Sequence, residues 1–181
     1  MSRNRFTALL AMLHVVDPNK EEQGDRLRKV SSFVDHFQNR CRDLYQPLSK
    51  VAIDERMVKS KHRSGIRQYI KNKPTKFGIK LWVLADSSNG YTYNFNVYTG
   101  KDGNATKSGN GLGYDIVMKL SLPLLGQGYQ IFFDNFYTSI PLVTDLFKNQ
   151  TPSCGTVSEK PKGLSARTEK WKIVGIESKT W

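Results

Sequence analysis

Two segments of alternating polarity flank the tetrapeptide Ser87-Ser88-Asn89-Gly90. Apolar residues occupy every second position in residues 78–86, and residues 91–99 alternate in the same way. A period of two is that of a β-strand, and Asn-Gly readily takes the positive φ that a tight hairpin turn needs. The sequence therefore predicts an antiparallel β-hairpin with Asp86 as a turn-forming residue. A chain with such a hairpin must build a sheet.

Further strands alternate with helices along the chain. Short apolar runs predict strands at residues 51–53, 129–133 and 154–157, and residues 100–111 are polar and glycine-rich, as in a loop. Apolar residues at steps of three and four predict helices in four segments, residues 6–13, 25–45, 112–125 and 140–148. Pro123 should end or bend the third helix, Thr138 or Ser139 should cap the fourth, and Cys41 should be buried on the second. This order predicts an α/β or α+β fold with a mixed sheet, preceded by a helical segment.

The charge of the chain points to a polyanionic partner. Its 181 residues are enough for one domain with a core, and 28 basic against 16 acidic residues give a net charge of +12. Residues 56–80 contain nine basic residues and no acidic one, which fits either a solvated basic face or contacts to nucleic acid phosphates. The side chains predicted to contact phosphates are Arg63, Arg67, Lys71, Lys73 and Lys76. The aromatic residues Tyr69 and Phe77 lie in the same run.

Other classes of protein fit the sequence less well. No stretch approaches the roughly 20 apolar residues that span a bilayer, so a membrane protein is not expected. Cys41 and Cys154 have the spacing of neither a disulfide framework nor a zinc site, which favours a reducing compartment, the cytosol or the nucleus.

Two aspartates follow apolar strand segments. Asp54 comes after residues 51–53 and Asp134 after residues 129–133, so each is expected at a strand end. Two carboxylates on neighbouring strands repel each other unless a cation lies between them, and Mg²⁺ prefers oxygen ligands. From spacing alone, an Asp after a strand is more often a turn-former or helix cap. Glu55 is a neighbour that strand alternation should point to the opposite face of the sheet.

Several segments together resemble the piggyBac superfamily of transposases and their domesticated derivatives. They are Ile53-Asp54-Glu55-Arg56-Met57, the stretch from Gln68 to Lys80 (QYIKNKPTKFGIK), and the stretch from Phe133 to Leu142 (FDNFYTSIPL). The opening MSRNRF and the later Cys154-Gly155-Thr156-Val157 also match. The motifs run in order with similar spacing over about residues 2–164.

The resemblance implies a ribonuclease-H-like fold in which three aspartates hold two Mg²⁺ ions for DNA cleavage and joining at TTAA sites. Asp54 matches the first aspartate and Asp134 the second, which makes both of them implied catalytic and metal-binding residues. Asn135 is a candidate for supporting the site or contacting DNA. Residues 1–50 would belong to a dimerisation and DNA-binding region, and residues 51–164 to a partial catalytic domain. Residues 165–181 match nothing and are unassigned.

The third aspartate of the family lies downstream of Trp181, so we expect an incomplete ribonuclease-H-like sheet and a fragment or decayed copy. Because phosphoryl transfer depends on positioning and electrostatics, we expect weak Mg²⁺ binding and little or no strand cleavage from this polypeptide alone.

Three hypotheses follow for the function. The first is a transposase-derived nuclease core in the nucleus, nearly or fully inactive in this form. The second is a domesticated DNA-binding module that keeps the basic surface without the chemistry. The third is a basic scaffold that acts through protein contacts, including a homodimer formed through the apolar stripe of residues 27–44.

Overall fold

A computed structural model describes residues 1–17, 19, 21, 24–71, 73–100 and 108–157 of the chain. The described helices are α1 (Arg3–Met12), α2 (Ser31–Asp43), α3 (Leu112–Ser121) and α4 (Ile140–Lys148). The described strands are β1 (Lys50–Lys59), β2 (Arg67–Tyr69), β3 (Phe77–Asp86), β4 (Thr92–Val97), β5 (Gln130–Phe133) and β6 (Ser153–Gly155). Four strands follow the two leading helices, and helices and strands alternate from α3 onward, so the predicted α/β or α+β class is confirmed.

All six of these strands belong to one mixed sheet. Its order is β2-β3-β1-β5-β6, and β4 pairs with β3 beside β2. The pairs β1–β3, β2–β3 and β3–β4 are antiparallel, whereas β1–β5 and β5–β6 are parallel. The parallel register sets Val51 opposite Ile131 and Ile53 opposite Phe133. Asp54 and Asp134 directly follow the Ile53–Phe133 pair and therefore lie side by side.

The hairpin that the alternation predicts is present. β3 and β4 pair antiparallel across the turn, and Gly90 has a φ of 73° and donates its N–H to the Asp86 carbonyl at 2.9 Å. Trp82 and Leu84 on β3 are fully buried. Only a residue that tolerates positive φ closes this turn without strain, which explains the Asn-Gly pair.

Helices α3 and α4 cover one face of the sheet and close the core. Leu120 of α3 and Leu142 and Leu146 of α4 are fully buried and share one apolar cluster with Val51 and Ile131 of the sheet. Burying a side chain of this size is worth about 1.5–3 kcal/mol, so these contacts fix β1 and β5 against each other.

The helix ends follow the sequence signals. Ser139 caps α4, with its hydroxyl accepting the Leu142 N–H at 3.4 Å, and Pro141 lies in the first turn. At Pro123 the α-helical pattern changes to a short 3₁₀ turn, Leu122–Leu124. Proline lacks the N–H that would continue the helix, so the predicted end is confirmed.

The second helix is shorter than predicted. It begins at Ser31 instead of residue 25, because the Asp25 side chain accepts the Leu27 N–H at 2.8 Å and holds a turn there. Half of its apolar stripe is exposed, at Val30, Phe37 and Leu44, and only Cys41 is buried within α2. Helix α2 contacts β4 through Phe37, whose ring lies 6.1 Å from that of Phe95, and through Gln38, whose side-chain amide donates to the Asn94 side-chain oxygen and the Phe95 carbonyl, both at 2.7 Å.

The leading helix keeps its apolar side chains in solvent. Ser2 caps α1 by accepting the Arg5 N–H, and no residue of α1 is buried. The exposed apolar residues include Phe6, Leu9 and Leu10. Within the described residues, no helix is long and apolar enough to cross a membrane. Much of the predicted loop 100–111 and the whole of the tail 165–181 lie outside the described residues, and the boundaries drawn at residues 50 and 164 stay predictions.

A buried carboxylate ties the segment before β1 to the hairpin turn. Asp86 is 1% exposed and accepts hydrogen bonds from the Tyr45 hydroxyl (2.9 Å), the Leu48 N–H (2.7 Å) and both the hydroxyl and the N–H of Ser88 (2.6 and 2.8 Å). These donors, the Ser88 hydroxyl first, hold the pKa of Asp86 well below its usual value. Asp86 is thus a turn-former, as predicted, and also an anchor for the entry to β1.

We predict that Asp86→Asn lowers the melting temperature by several degrees at pH 7. The side-chain amide nitrogen of Asn is itself a donor and would face the N–H and O–H donors that now bond to the Asp86 carboxylate. A depressed carboxyl pKa contributes stability above the unfolded-state value of about 4, and this contribution fades as pH falls below it. The gap between wild type and variant should therefore narrow in thermal melts below about pH 4. Asp35→Asn, which alters an exposed carboxylate on α2, is the control; equal melting temperatures for both variants at pH 7 would contradict the anchor.

Candidate metal centre and nucleic-acid interface

The two aspartates singled out in the sequence lie next to each other. Asp54 follows Ile53 on β1, and Asp134 follows the last residue of β5, which pairs with Ile53. Carboxylate oxygens of Asp54, Glu55 and Asp134 all lie within 4.8 Å of one another. The convergence rests on the parallel pairing of β1 and β5, because successive residues of parallel strands advance in the same direction.

The expectation that Asp54 ends its strand is wrong. β1 continues to Lys59 because β3 pairs with it antiparallel as far as Lys59 opposite Gly78. It is β5, the neighbour on the other side, that ends at Phe133. Asp54 therefore lies where the sheet loses one neighbour of β1, which leaves the carboxylate exposed beside an open edge.

Glu55 is a neighbour of the site, as predicted, although strand alternation was expected to point its side chain to the opposite face from Asp54. Alternation does separate neighbouring side chains along a strand, yet the Glu55 carboxylate reaches the same cluster. Since β5 stops at Phe133, nothing on that side of β1 keeps the two side chains apart. The Glu55 side chain is 18% exposed and forms an ion pair with Lys73 at 3.5 Å.

Asp134 is held by the turn that follows it. Its carboxylate accepts the Phe136 N–H at 2.9 Å, and its carbonyl accepts the Tyr137 N–H at 3.2 Å and the Thr138 hydroxyl at 2.9 Å. Asp54 accepts the Glu55 N–H at 2.7 Å. Short side-chain-to-backbone bonds of this kind fix the direction of a carboxylate before any ligand arrives.

The turn returns the Tyr137 ring to the core beneath the carboxylates. Tyr137 is 1% exposed, and its hydroxyl has no hydrogen-bond partner at normal distance within the described chain. Burial, then the negative charges of Glu55, Asp134 and Asp54, raise the pKa of Tyr137 far above its ordinary value. The hydroxyl is therefore a buried, neutral donor beside the acidic cluster.

The three acidic side chains fit a divalent metal ion of the Mg²⁺ class. Every donor in the cluster is a carboxylate oxygen, which hard cations prefer, and no histidine or cysteine joins it among the described residues. Within the part of the chain that the structure describes, Lys73 is the one cation in an ion pair with the cluster. The three carboxylates and the one Lys73 ammonium together give the site a net negative charge.

Of the basic residues predicted to contact DNA, Lys73 forms an ion pair with the acidic cluster, 3.5 Å from the Glu55 carboxylate. Arg67 stands on β2 with its guanidinium 5.3 Å from the centre of the Phe77 ring. Arg63, Lys71 and Lys76 are exposed in the segments that flank β2, and Asn135 is exposed directly after Asp134. The basic segment thus borders the carboxylates, while the role of each residue stays a prediction.

Three features were missed from the sequence. They are the strand β2, the Lys73–Glu55 ion pair and the buried hydroxyl of Tyr137. The first two depend on how the basic segment folds back on β1, for which a three-residue strand gives no signal. Tyr137 stands three positions after Asp134 in a tight turn, and that spacing could have placed it near the cluster.

The fold and the site define a ribonuclease-H-like domain with a paired-carboxylate centre. A family model described as Transposase IS4 matches residues 1–174. The chain belongs to this transposase family and within it is related to piggyBac.

Individual relatives give the same result. Human PiggyBac transposable element-derived protein 3 is 33% identical over 161 residues, covering 87% of this chain and 27% of that protein. Human PiggyBac transposable element-derived protein 2 is 30% identical over 162 residues, with the same coverages. A cryo-EM structure of a piggyBac transposase synaptic complex with hairpin DNA superposes with a TM-score of 0.79 at 32% identity, covering 94% of this chain and 37% of that one. The chain thus spans under a third of the length of these human relatives.

We predict that Gly155→Ala destabilises the end of the sheet beside Asp134. A Cβ at this glycine would overlap the Thr138 hydroxyl and the Phe133 ring, the two groups that frame the Asp134 turn. Overpacking of this kind costs about 1–3 kcal/mol, measurable as a lower midpoint in urea denaturation. Gly65→Ala, where a Cβ meets nothing within 4 Å, is the control; a loss no larger than that of the control would argue against tight packing here.

Proposed function

We propose that this chain is a transposase-derived, DNA-binding domain with a metal centre of the kind that cleaves and joins DNA at TTAA sites. The observation that carries the proposal is the convergence of Asp54 and Asp134, at the positions that the piggyBac resemblance assigns to two metal-binding aspartates. The superposition on a piggyBac–hairpin DNA complex and the adjoining basic segment support the same function. On this proposal the protein acts in the nucleus, where its DNA lies.

Each acidic side chain has a definite part in that chemistry. Asp54 and Asp134 would hold a divalent cation of the Mg²⁺ class, which when bound stabilises negative charge on a reacting phosphate. The hydrogen bonds from the Phe136 and Glu55 N–H groups keep the two carboxylates oriented toward one another. Orientation matters because phosphoryl transfer gains most of its rate from positioning and electrostatics.

The level of activity follows from the number of ligands. The resemblance assigns two of the three aspartates to this sequence, so we propose weak metal binding and little or no strand cleavage by this polypeptide alone. A domain in that state is a DNA-binding module that keeps the architecture of a nuclease. The nuclease-core and DNA-binding-module hypotheses therefore differ in how much DNA cleavage remains, and both use the same DNA-binding surface.

Contacts to the DNA backbone are proposed for the basic segment. Arg63, Lys71 and Lys76 are exposed and belong to the basic segment that Lys73 links to the acidic cluster, whose substrate would be a phosphodiester. Arg67 and Lys73 extend this surface, and Asn135 would reach DNA from the Asp134 turn. Such contacts position DNA without reading its sequence.

A second function, protein association, has its own observation. The apolar side chains of α1, among them Phe6, Leu9 and Leu10, are about half exposed or more. Exposed apolar surface of this kind marks contacts with other proteins. We propose homodimerisation as the use of the helical segment, and it does not compete with DNA binding elsewhere.

We predict that Asp134→Ala weakens Mn²⁺ binding at least tenfold, because it removes one of the two central ligands. The measurement is a calorimetric titration of the full chain with Mn²⁺. Any Mn²⁺-dependent nicking of a transposon-end duplex should disappear in the same variant. Asp35→Ala removes an equal charge far from the cluster in sequence and serves as the control; equal Mn²⁺ affinities for the two variants would contradict the metal centre.

We predict that DNA affinity falls steeply with salt, and that replacing Lys71, Lys73 and Lys76 by Ala makes the dependence shallower. Each phosphate that these side chains no longer neutralise reduces the slope of log K against log salt by about 0.9 for duplex DNA. Fluorescence anisotropy with a duplex at several salt concentrations measures the slope.

The matched control replaces Lys29, Lys119 and Lys148, which lowers the net charge equally from other parts of the chain. An equal change of slope in both triple variants would refute the basic segment as the interface. An affinity that does not respond to salt in the wild type would refute DNA binding altogether.

A further inference from the structure

The hydroxyl of Tyr137 is a buried polar group without a partner. It lies in a residue that is 1% exposed, and no described group accepts a hydrogen bond from it at normal distance. A buried donor left unpaired costs roughly 1–3 kcal/mol in general, and native structures keep such groups where something else uses them. The charged groups around this hydroxyl are the carboxylates of Glu55, Asp134 and Asp54. The donor is thus aimed at the acidic cluster.

Glu55 is the member of that cluster that the family resemblance does not explain. Its carboxylate lies within 4.8 Å of those of Asp54 and Asp134, and it is the most enclosed of the three, at 18% side-chain exposure. A half-buried carboxylate needs a compensating cation. In the described structure that cation is Lys73, at 3.5 Å.

We propose that Glu55 is a third protein ligand for the divalent cation, with Lys73 occupying its carboxylate until the metal arrives and the Tyr137 hydroxyl positioning it. The inference rests on the proposed metal centre at Asp54 and Asp134. The cation is of the Mg²⁺ and Mn²⁺ class, since all three ligands supply carboxylate oxygen.

Charge balance favours the replacement of the Lys73 ammonium by a divalent cation at Glu55. Three carboxylates within 4.8 Å carry three negative charges at neutral pH, and one ammonium on a long side chain offsets one of them. A divalent ion offsets two and contacts all three oxygens at short range. The Lys73 side chain is 37% exposed, so it can leave without burying its charge.

The replacement of Lys73 by a metal ion at Glu55 couples metal binding to DNA binding. A Lys73 ammonium released from Glu55 is free to contact a phosphate, and a phosphate that takes Lys73 leaves Glu55 open to metal. Metal binding and DNA binding should therefore strengthen each other through this one side chain.

The test is the Mn²⁺ affinity of the full chain, read from the paramagnetic resonance signal of free Mn²⁺ during a titration. Glu55→Gln should weaken binding at least tenfold. Glu55→Asp should restore part of the loss, because it keeps the carboxylate. The matched control is Glu21→Gln, which removes a comparable enclosed and ion-paired carboxylate, 2.9 Å from Arg28 and 14% exposed.

The outcomes separate this inference from the proposed function. If Asp54→Asn abolishes binding while Glu55→Gln binds as Glu21→Gln does, Glu55 is not a ligand and the two-aspartate centre stands. If the wild type itself binds no Mn²⁺ at millimolar concentration, both fail. Far-ultraviolet circular dichroism and thermal melts establish that each variant is folded before its affinity is compared.

Tyr137→Phe tests the positioning step. Removing only the hydroxyl should weaken Mn²⁺ binding severalfold, as the loss of groups that orient metal ligands generally does. Thermal melts without metal establish that the variant is folded before its Mn²⁺ affinity is compared with that of the wild type. A variant with unchanged Mn²⁺ affinity would show that Tyr137 is a core residue only.

Discussion

The parallel pairing of β1 with β5 is the constraint on which the rest of the molecule depends. Val51 faces Ile131 across this pair, and both side chains are fully buried against α3 and α4. A slip of one residue would move every side chain of β5 to the other face, so the packed core selects a single register. The same register sets Asp134 beside Asp54. Hydrophobic packing thus fixes the geometry of a charged site that it does not itself touch.

The place where β5 ends decides what the site can hold. Because β1 continues past Phe133 with only β3 beside it, Asp54 and Glu55 stand at an edge with room for a ligand. The Asp134 turn uses this room: it carries Asn135 outward and brings Tyr137 back into the core. An open edge costs little for ionised carboxylates because water reaches them.

The strands other than β2, the hairpin and the capped α4 could be predicted because their signals are local. Alternation and the Asn-Gly pair describe β3, β4 and their turn, and Ser139 with Pro141 describes the start of α4. The end of β1 could not be predicted, since residues 54–59 are mostly polar and their strand conformation comes from pairing with β3. The proximity of Asp54 and Asp134 followed from the family resemblance; spacing alone gave it little support. Glu55 shows where prediction from the sequence stops. Alternation describes its place on β1, whereas the position of its carboxylate depends on the end of β5 at Phe133, which the local sequence around Glu55 does not show.

Charge links the two halves of the site. The basic segment of residues 56–80 would repel itself if it were isolated, yet through Lys73 it is tied to the carboxylate that β1 provides next to Asp54. Because the β1–β5 register is set by the core, the positions of the carboxylates do not depend on whether the chain cleaves DNA. The geometry of the acidic site and any reaction at that site are therefore separate properties of this fold.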